Sequence, residues 1–274
     1  MATLPFPCTS VPLSSGDFNT AIGILGSDAA AVWAILNVES GMAGYLPDRR
    51  PQILFERAIF HHRTNGAYDA ANPGISAPTG GGYLGGAAEY GRLGQAYALN
   101  PGVALQSASW GLGQIMGLNY LPAGFDNAEN FVQAACASES AQLQQFVSFL
   151  RQTGVAVPLQ AHDWVTVAGK YNGPGQVGPY SRSLAASYAK LQAPRALPDL
   201  DVRAAQLYLR FLSSANSVPA WSPAAIDGIW GPNTQGALNA FQTAQGVAAT
   251  GGVDVGVLAS LVAALPAAVN LDLT

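Results

Sequence analysis

Charge is scarce in this chain. Lys and Arg together number 12 and Asp and Glu 16 among 274 residues, for a formal charge of −4. No basic cluster is long enough to track a phosphate backbone, which excludes nucleic acid as a partner. Arg49-Arg50 and His61-His62-Arg63 are short and isolated. Cysteine occurs only twice, at Cys8 and Cys136 and without CxxC spacing, so it signals neither a thiolate metal site nor a redox motif. The pair forms one bridge or stays as two free buried thiols; the sequence leaves both open. His61, His62 and His162 have no ligand spacing with neighbouring carboxylates, so neither metal nor cofactor is expected. No uninterrupted apolar run reaches the roughly 18 residues a membrane span needs, so no membrane insertion is expected. Met1 to Asp17 is proline-rich and holds no Lys or Arg, so the basic start and apolar stretch of an export signal are both missing. The glycine-rich stretch from Gly66 to Gly94 lacks G-x-x-x-x-G-K-[ST], which argues against a phosphate loop. What the chain does have is apolar bulk, 49% against 10% charged residues. It reads as a soluble globular protein, by default a monomer, with one large domain or a large and a small one.

The most informative stretch is Asp28 to Gly41. Asp28 is a suitable N-cap, no Pro or Gly interrupts the residues after it, and Gly41 ends the helix. Val32, Ile35, Leu36 and Glu39 fall on one stripe, so a carboxylate shares the apolar face. Lost hydration and the negative end of the helix dipole both raise its pKa, as a general acid requires. The alternative is a structural Glu39 paired with Arg49, Arg50 or Arg57.

Around this helix the pattern is mostly helical. Asp17 to Leu25 reads as a helix, Pro51 to Glu56 as a short strand, and Ala58 to Arg63 as a helix. Gly66 to Gly94 reads as an irregular surface segment. In Ser109-Trp-Gly-Leu-Gly-Gln-Ile-Met-Gly117 the glycines let backbone approach a ligand, or else permit a tight helix crossing. Gln114 offers a donor and an acceptor for an amide such as an N-acetyl group. Further helices are expected from Asp126 or Asn127, around Leu143 to Leu150, from Asp163 to Tyr171, and from about Ser181 to Leu191. Tyr171 and Asn172 then stand at a helix end. Two prolines in 193–200 mark a linker, and three short helices after Asp201 make a small bundle without a cluster of catalytic groups.

Glu39-Ser40, Gly111-Leu-Gly-Gln114 and Tyr171-Asn172-Gly173 follow the order of the lysozyme-like superfamily. The chain more closely resembles the N-acetylmuramidase domain of phage endolysins. The blocks that carry the resemblance are Val38 to Gly41, Arg50 to Arg57, Ser109 to Gly117 and Tyr171 to Pro174, with Glu139 to Leu150 between them. Asp227-Gly-Ile-Trp-Gly-Pro-Asn-Thr234 and Ala237 to Gln242 resemble the three-helix peptidoglycan-binding module. The expected fold is mainly α (α+β): a lysozyme-like catalytic domain over 1–192, a linker over 193–200, and a peptidoglycan-binding three-helix bundle over 201–274.

The resemblance implies hydrolysis of the β-1,4 bond between N-acetylmuramic acid and N-acetylglucosamine, with glycan strands of peptidoglycan as the partner. Glu39 would be the general acid. Gln114 would bond the sugar, its N-acetyl group or the catalytic carboxylate, beside Ser109. Tyr171 would touch Glu39 and Asn172 would shape the cleft floor. A second carboxylate falls first on Glu56, then on Asp48 or Asp69, with an ion pair to Arg57 or Arg63 as the alternative for Glu56. Asp227, Trp230 and Thr234 would serve the binding module. Lytic transglycosylation to a 1,6-anhydro product is the competing chemistry, and a silent wall-binding protein or a secreted antibacterial effector the competing class. The expected setting is synthesis in a host cytoplasm without a signal peptide and action on the periplasmic wall.

Overall fold

The computed structural model describes residues 3–273, so Met1, Ala2 and Thr274, at the ends of the two expected domains, lie outside the described residues. In chain order the elements are β1 (Thr3–Cys8), α1 (Ser15–Leu25), α2 (Ala29–Ser40), β2 (Ile53–Phe55) and α3 (Arg57–Arg63). Then come α4 (Glu89–Leu99), α5 (Pro101–Gln106), β3 (Ala108–Trp110), β4 (Ile115–Met116), α6 (Ala128–Ala137) and α7 (Glu139–Gln152). After α8 (Ala156–Gln160), α9 (Trp164–Tyr171) and α10 (Val177–Leu191), the chain ends with α11 (Leu200–Asn216), α12 (Pro232–Ala244), α13 (Val255–Ala264) and β5 (Val269–Asp272).

α2 is the axis of the larger core. Every residue from Ala30 to Leu36 is buried, the pattern of a helix enclosed on all sides. Asp28 caps its start by accepting from the Ala31 amide at 2.9 Å. Gly41 closes its end at φ 60°, a left-handed geometry that a residue with Cβ adopts at a cost. α10 packs along α2, and Asn37 donates to Ser187 at 2.9 Å across that contact. Against this helical mass lies one three-stranded antiparallel sheet ordered β2-β3-β4. No single helix among the described residues is long and apolar enough to cross a membrane.

The segment Gly66 to Gly94 is irregular and largely exposed as far as Ala88, and departs from that expectation only at its end. α4 begins inside it, with Tyr90, Leu93 and Ala96 buried. Two glycines in α4 carry a propensity penalty of about 1 kcal/mol each, which tertiary packing overrides. At Gly94 a Cβ would stand 2.0 Å from the Leu273 carbonyl oxygen, so the close approach of the C-terminal strand requires glycine there. Arg92 ties the loop down with bonds to the carbonyls of Gly74 and Gly81, both at 3.2 Å.

Residues 193–200 run mostly exposed between the two units, and Leu200 is buried. Leu197, Pro198 and Leu200 face Phe18 and Trp33 across a shared cavity. α11 is buried on two faces. Leu209 and Leu212 join Trp221, Leu238, Phe241 and Leu261 in the small core of the last three helices. Leu207 and Phe211 pack instead with Ala43 and Tyr45 from the larger unit. The chain then returns: β5 pairs antiparallel with β1. Cys8 and Cys136 are both buried and free, and the adjacent Cys8 thiol together with burial pushes the Cys136 thiol up.

Candidate active site

Glu39 occupies the last turn of α2, half-buried, one turn beyond the wholly enclosed stretch. No arginine pairs with it among the described residues. Arg49 bonds instead to the carbonyls of Thr9 and Pro266, Arg50 to Asp48, and Arg57 to the carbonyls of Thr79 and Gly80. The partner of Glu39 is a neutral donor: the Tyr180 hydroxyl donates to its Oε1. Burial pushes the Glu39 carboxyl up to about 7, against the Tyr180 hydrogen bond, which acts the other way. The acid is therefore still substantially protonated near neutrality. Burial and the Glu39 charge raise the Tyr180 phenol in turn, so it stays a donor.

Tyr171, expected to touch Glu39, uses its hydroxyl elsewhere: it donates to the Gly113 carbonyl. Its ring meets Phe146 and Phe149 edge-on at 6.0 and 5.8 Å. Glu39 lies near enough for its charge, after burial, to help raise the Tyr171 phenol. The tyrosine that bonds Glu39 is nine positions later in the sequence. The helix expected from about Ser181 begins instead at Val177 and takes Pro179 into its first turn, where a missing N–H costs nothing, so Tyr180 lies inside α10. Asn172 caps α9 and is exposed.

The Ser109 to Gly117 block forms the β3–β4 hairpin. Its glycines make room for protein rather than ligand. A Cβ at Gly111 would lie 2.4 Å from Gln142, and one at Gly113 2.8 Å from Phe146. Gln114 sits in the turn at φ 48°. Its amide donates to the carbonyls of Gln52 at 3.1 Å and Gly111 at 2.8 Å, and its Oε1 accepts from Ser109 at 2.7 Å. Both amide hydrogens are thus engaged, leaving one lone pair on the oxygen. Gln114 and Ser109 hold the hairpin turn against the chain leading into β2, while Tyr171 holds it from α9.

Glu56 lies at the other end of β2 from Gln52. At a rise of about 3.3 Å per residue, the four steps between them span on the order of 13 Å. Its carboxylate accepts from Tyr83 at 2.8 and 3.0 Å and has no ion pair with Arg57 or Arg63 among the described residues. Asp48 is engaged by Arg50 at 2.7 Å, and Asp69 by His61 at 2.6 Å and Ser76 at 2.5 Å.

In the last three helices the Asp227 to Thr234 motif organises itself around the buried Gln206. Gln206 Nε2 donates to Asp227 and to Thr234, both at 2.9 Å, and its Oε1 accepts from the Gly228 amide at 2.8 Å. Thr234 is buried, and Trp230 packs half-exposed on the small core. A cavity of about 130 Å³ opens beside Asp227, Ile229 and Asn233.

The N-acetylmuramidase family matches residues 28–192, and a putative peptidoglycan binding domain matches residues 198–261. Among solved structures, the crystal structure of Burkholderia AP3 phage endolysin is 37% identical with a TM-score of 0.59, covering 65% of this chain and 69% of that one. No curated protein matches.

Proposed function

Because the chain belongs to the N-acetylmuramidase family, a glycosidase of peptidoglycan with a peptidoglycan-binding module, we propose that it works as an endolysin with Glu39 as the general acid. The bond cut is the β-1,4 linkage between N-acetylmuramic acid and N-acetylglucosamine. The observation that carries this reading is Glu39 itself: a carboxyl at about 7, without a cationic partner, oriented by a phenol.

Protonated Glu39 gives its proton to the glycosidic oxygen as the bond to the muramic C1 breaks. The oxygen leaves as a hydroxyl on N-acetylglucosamine, and positive charge develops on the C1–ring oxygen unit. Tyr180 keeps its bond to the carboxylate that remains, limiting the energy of the new charge in a half-buried place. Water then adds to C1 and gives its proton to a second carboxylate acting as base. Glu56 is the proposed second carboxylate, because it is the one of the three candidates held by a neutral donor alone.

The competing chemistry is attack on C1 by the muramic C6 hydroxyl in place of water, with Glu39 as both acid and base.

The test is mass spectrometry of muropeptides released from purified sacculi, with Glu39→Gln in parallel. Reducing-end N-acetylmuramic acid that disappears in the variant supports hydrolysis through Glu39. Anhydro products, lighter by one water, replace hydrolysis with transglycosylation. Unchanged lysis by the variant removes Glu39 from the role.

A further inference from the structure

α11 sends two arginines into the other unit: Arg210 donates to the Tyr45 carbonyl at 2.8 Å, and Arg203 makes the more extensive contact. Arg203 and Glu139 are each 0% exposed, and the guanidinium meets the carboxylate in a fork, Nη1 to Oε2 and Nη2 to Oε1, both at 2.6 Å. The carboxylate also accepts from the amides of Leu13 at 3.0 Å and Gly44 at 2.8 Å. The same guanidinium donates from Nε to the Met42 carbonyl at 2.9 Å and bonds it again through Nη2. Its carbon lies 5.5 Å from the centre of the Trp33 ring.

Met42 and Trp33 connect Arg203 to the helix that carries Glu39. Trp33 is inside α2, and Met42 directly follows the Gly41 cap. Met42 stands at φ 66°, a left-handed geometry that a side-chain-bearing residue keeps only when its surroundings hold it. Its amide is bonded to the Leu36 carbonyl and its own carbonyl to Arg203. Only a guanidinium supplies Nε–H and two Nη–H donors in one plane, enough for a carbonyl and both carboxylate oxygens at once.

We infer that Arg203 is a positioning residue for the muramidase reaction: the binding module, through this side chain, fixes the end of the helix that carries Glu39. The module then acts on the chemical step as well as on attachment to the wall. This rests on the reading of Glu39 as the acid. Burial alone would push the Glu139 carboxyl up, but the charge and bonds of Arg203 hold it below the ordinary range, so the pair stays ionised wherever Glu39 works.

The experiment compares full-length wild type, Arg203→Met, Arg203→Lys and Glu39→Gln on a soluble tetrasaccharide of alternating N-acetylglucosamine and N-acetylmuramic acid, with sacculus binding measured alongside. For Arg203→Met we expect unchanged sacculus binding and KM, and kcat lower by about tenfold to a hundredfold, the effect of misplacing a reacting group by an ångström or less. The alkaline limb of its kcat profile moves to lower pH as water reaches Glu39, and Arg203→Lys recovers part of the rate. Should Arg203→Met not fold, Arg203→Met with Glu139→Leu removes the unpaired buried charge and carries the same comparison. Wild-type kcat and pH profile in the folded variant, with Glu39→Gln inactive, overturns the inference alone. Full turnover by Glu39→Gln overturns the underlying reading, and the inference with it.

Discussion

The Tyr180 hydroxyl donates to Oε1 of Glu39, so the proposed acid is oriented by a phenol rather than neutralised by a cation. That bond opposes the effect of burial on Glu39. Removing it leaves burial unopposed.

Tyr180→Phe should therefore raise the Glu39 pKa above about 7, by roughly one unit, the size of about 1.4 kcal/mol of differential interaction. A general acid loses activity as pH rises through its pKa, so the alkaline limb of the kcat profile moves to higher pH. Peak turnover falls, because the carboxyl loses its fixed rotamer. A limb that stays in place, or moves down, contradicts the role given to Tyr180.

Glu39→Gln should abolish turnover and stabilise the fold at alkaline pH. In the unfolded chain this carboxyl ionises near 4.5, in the folded protein at about 7. Between these values the unfolded chain has released a proton that the native state retains. Stability thus falls as pH rises from about 4.5 to about 7 and stays low above. The shift corresponds to on the order of 3 kcal/mol as an upper bound. Urea midpoints at pH 4 should match for variant and wild type, while at pH 8 the variant should be the more stable. Equal midpoints at pH 8 would mean that Glu39 is not held in a desolvated place.

Deleting residues 193–274 should cost the larger unit its fold. Glu139 would remain buried without Arg203, a loss of about 3–5 kcal/mol for a broken buried pair, and β1 would lose its partner strand. Circular dichroism on heating should show no cooperative transition for the truncated chain. A well-folded fragment would argue that the two units are independent.

Gln114→Glu tests whether this side chain holds the hairpin. A carboxylate cannot donate to the carbonyls of Gln52 and Gly111, and it would face both oxygens. Destabilisation by about 1–3 kcal/mol is expected from leaving such groups unpaired, read as a lower urea midpoint together with lower turnover. A change in KM alone, at unchanged stability, would instead make Gln114 a direct contact of the sugar.

The sequence by itself determined the parts whose causes are local. The Asp28 cap, the Gly41 stop and the apolar stripe place α2 and its carboxylate, because capping and 3.6-residue periodicity are short-range properties. The helices opened by Asn127, Ser138 and Asp163 are legible for the same reason. Tertiary structure decided everything that depends on who arrives from far along the chain. α4 forms despite its glycines because Tyr90, Leu93 and Ala96 are buried, and Gly94 leaves room for the chain that follows β5. Tyr180, not Tyr171, reaches Glu39 because α10 starts at Val177 and lies along α2. Arg203 is tied to the larger unit because the second face of α11, invisible to a search for one apolar stripe, meets the Met42 carbonyl and a carboxylate 64 residues away.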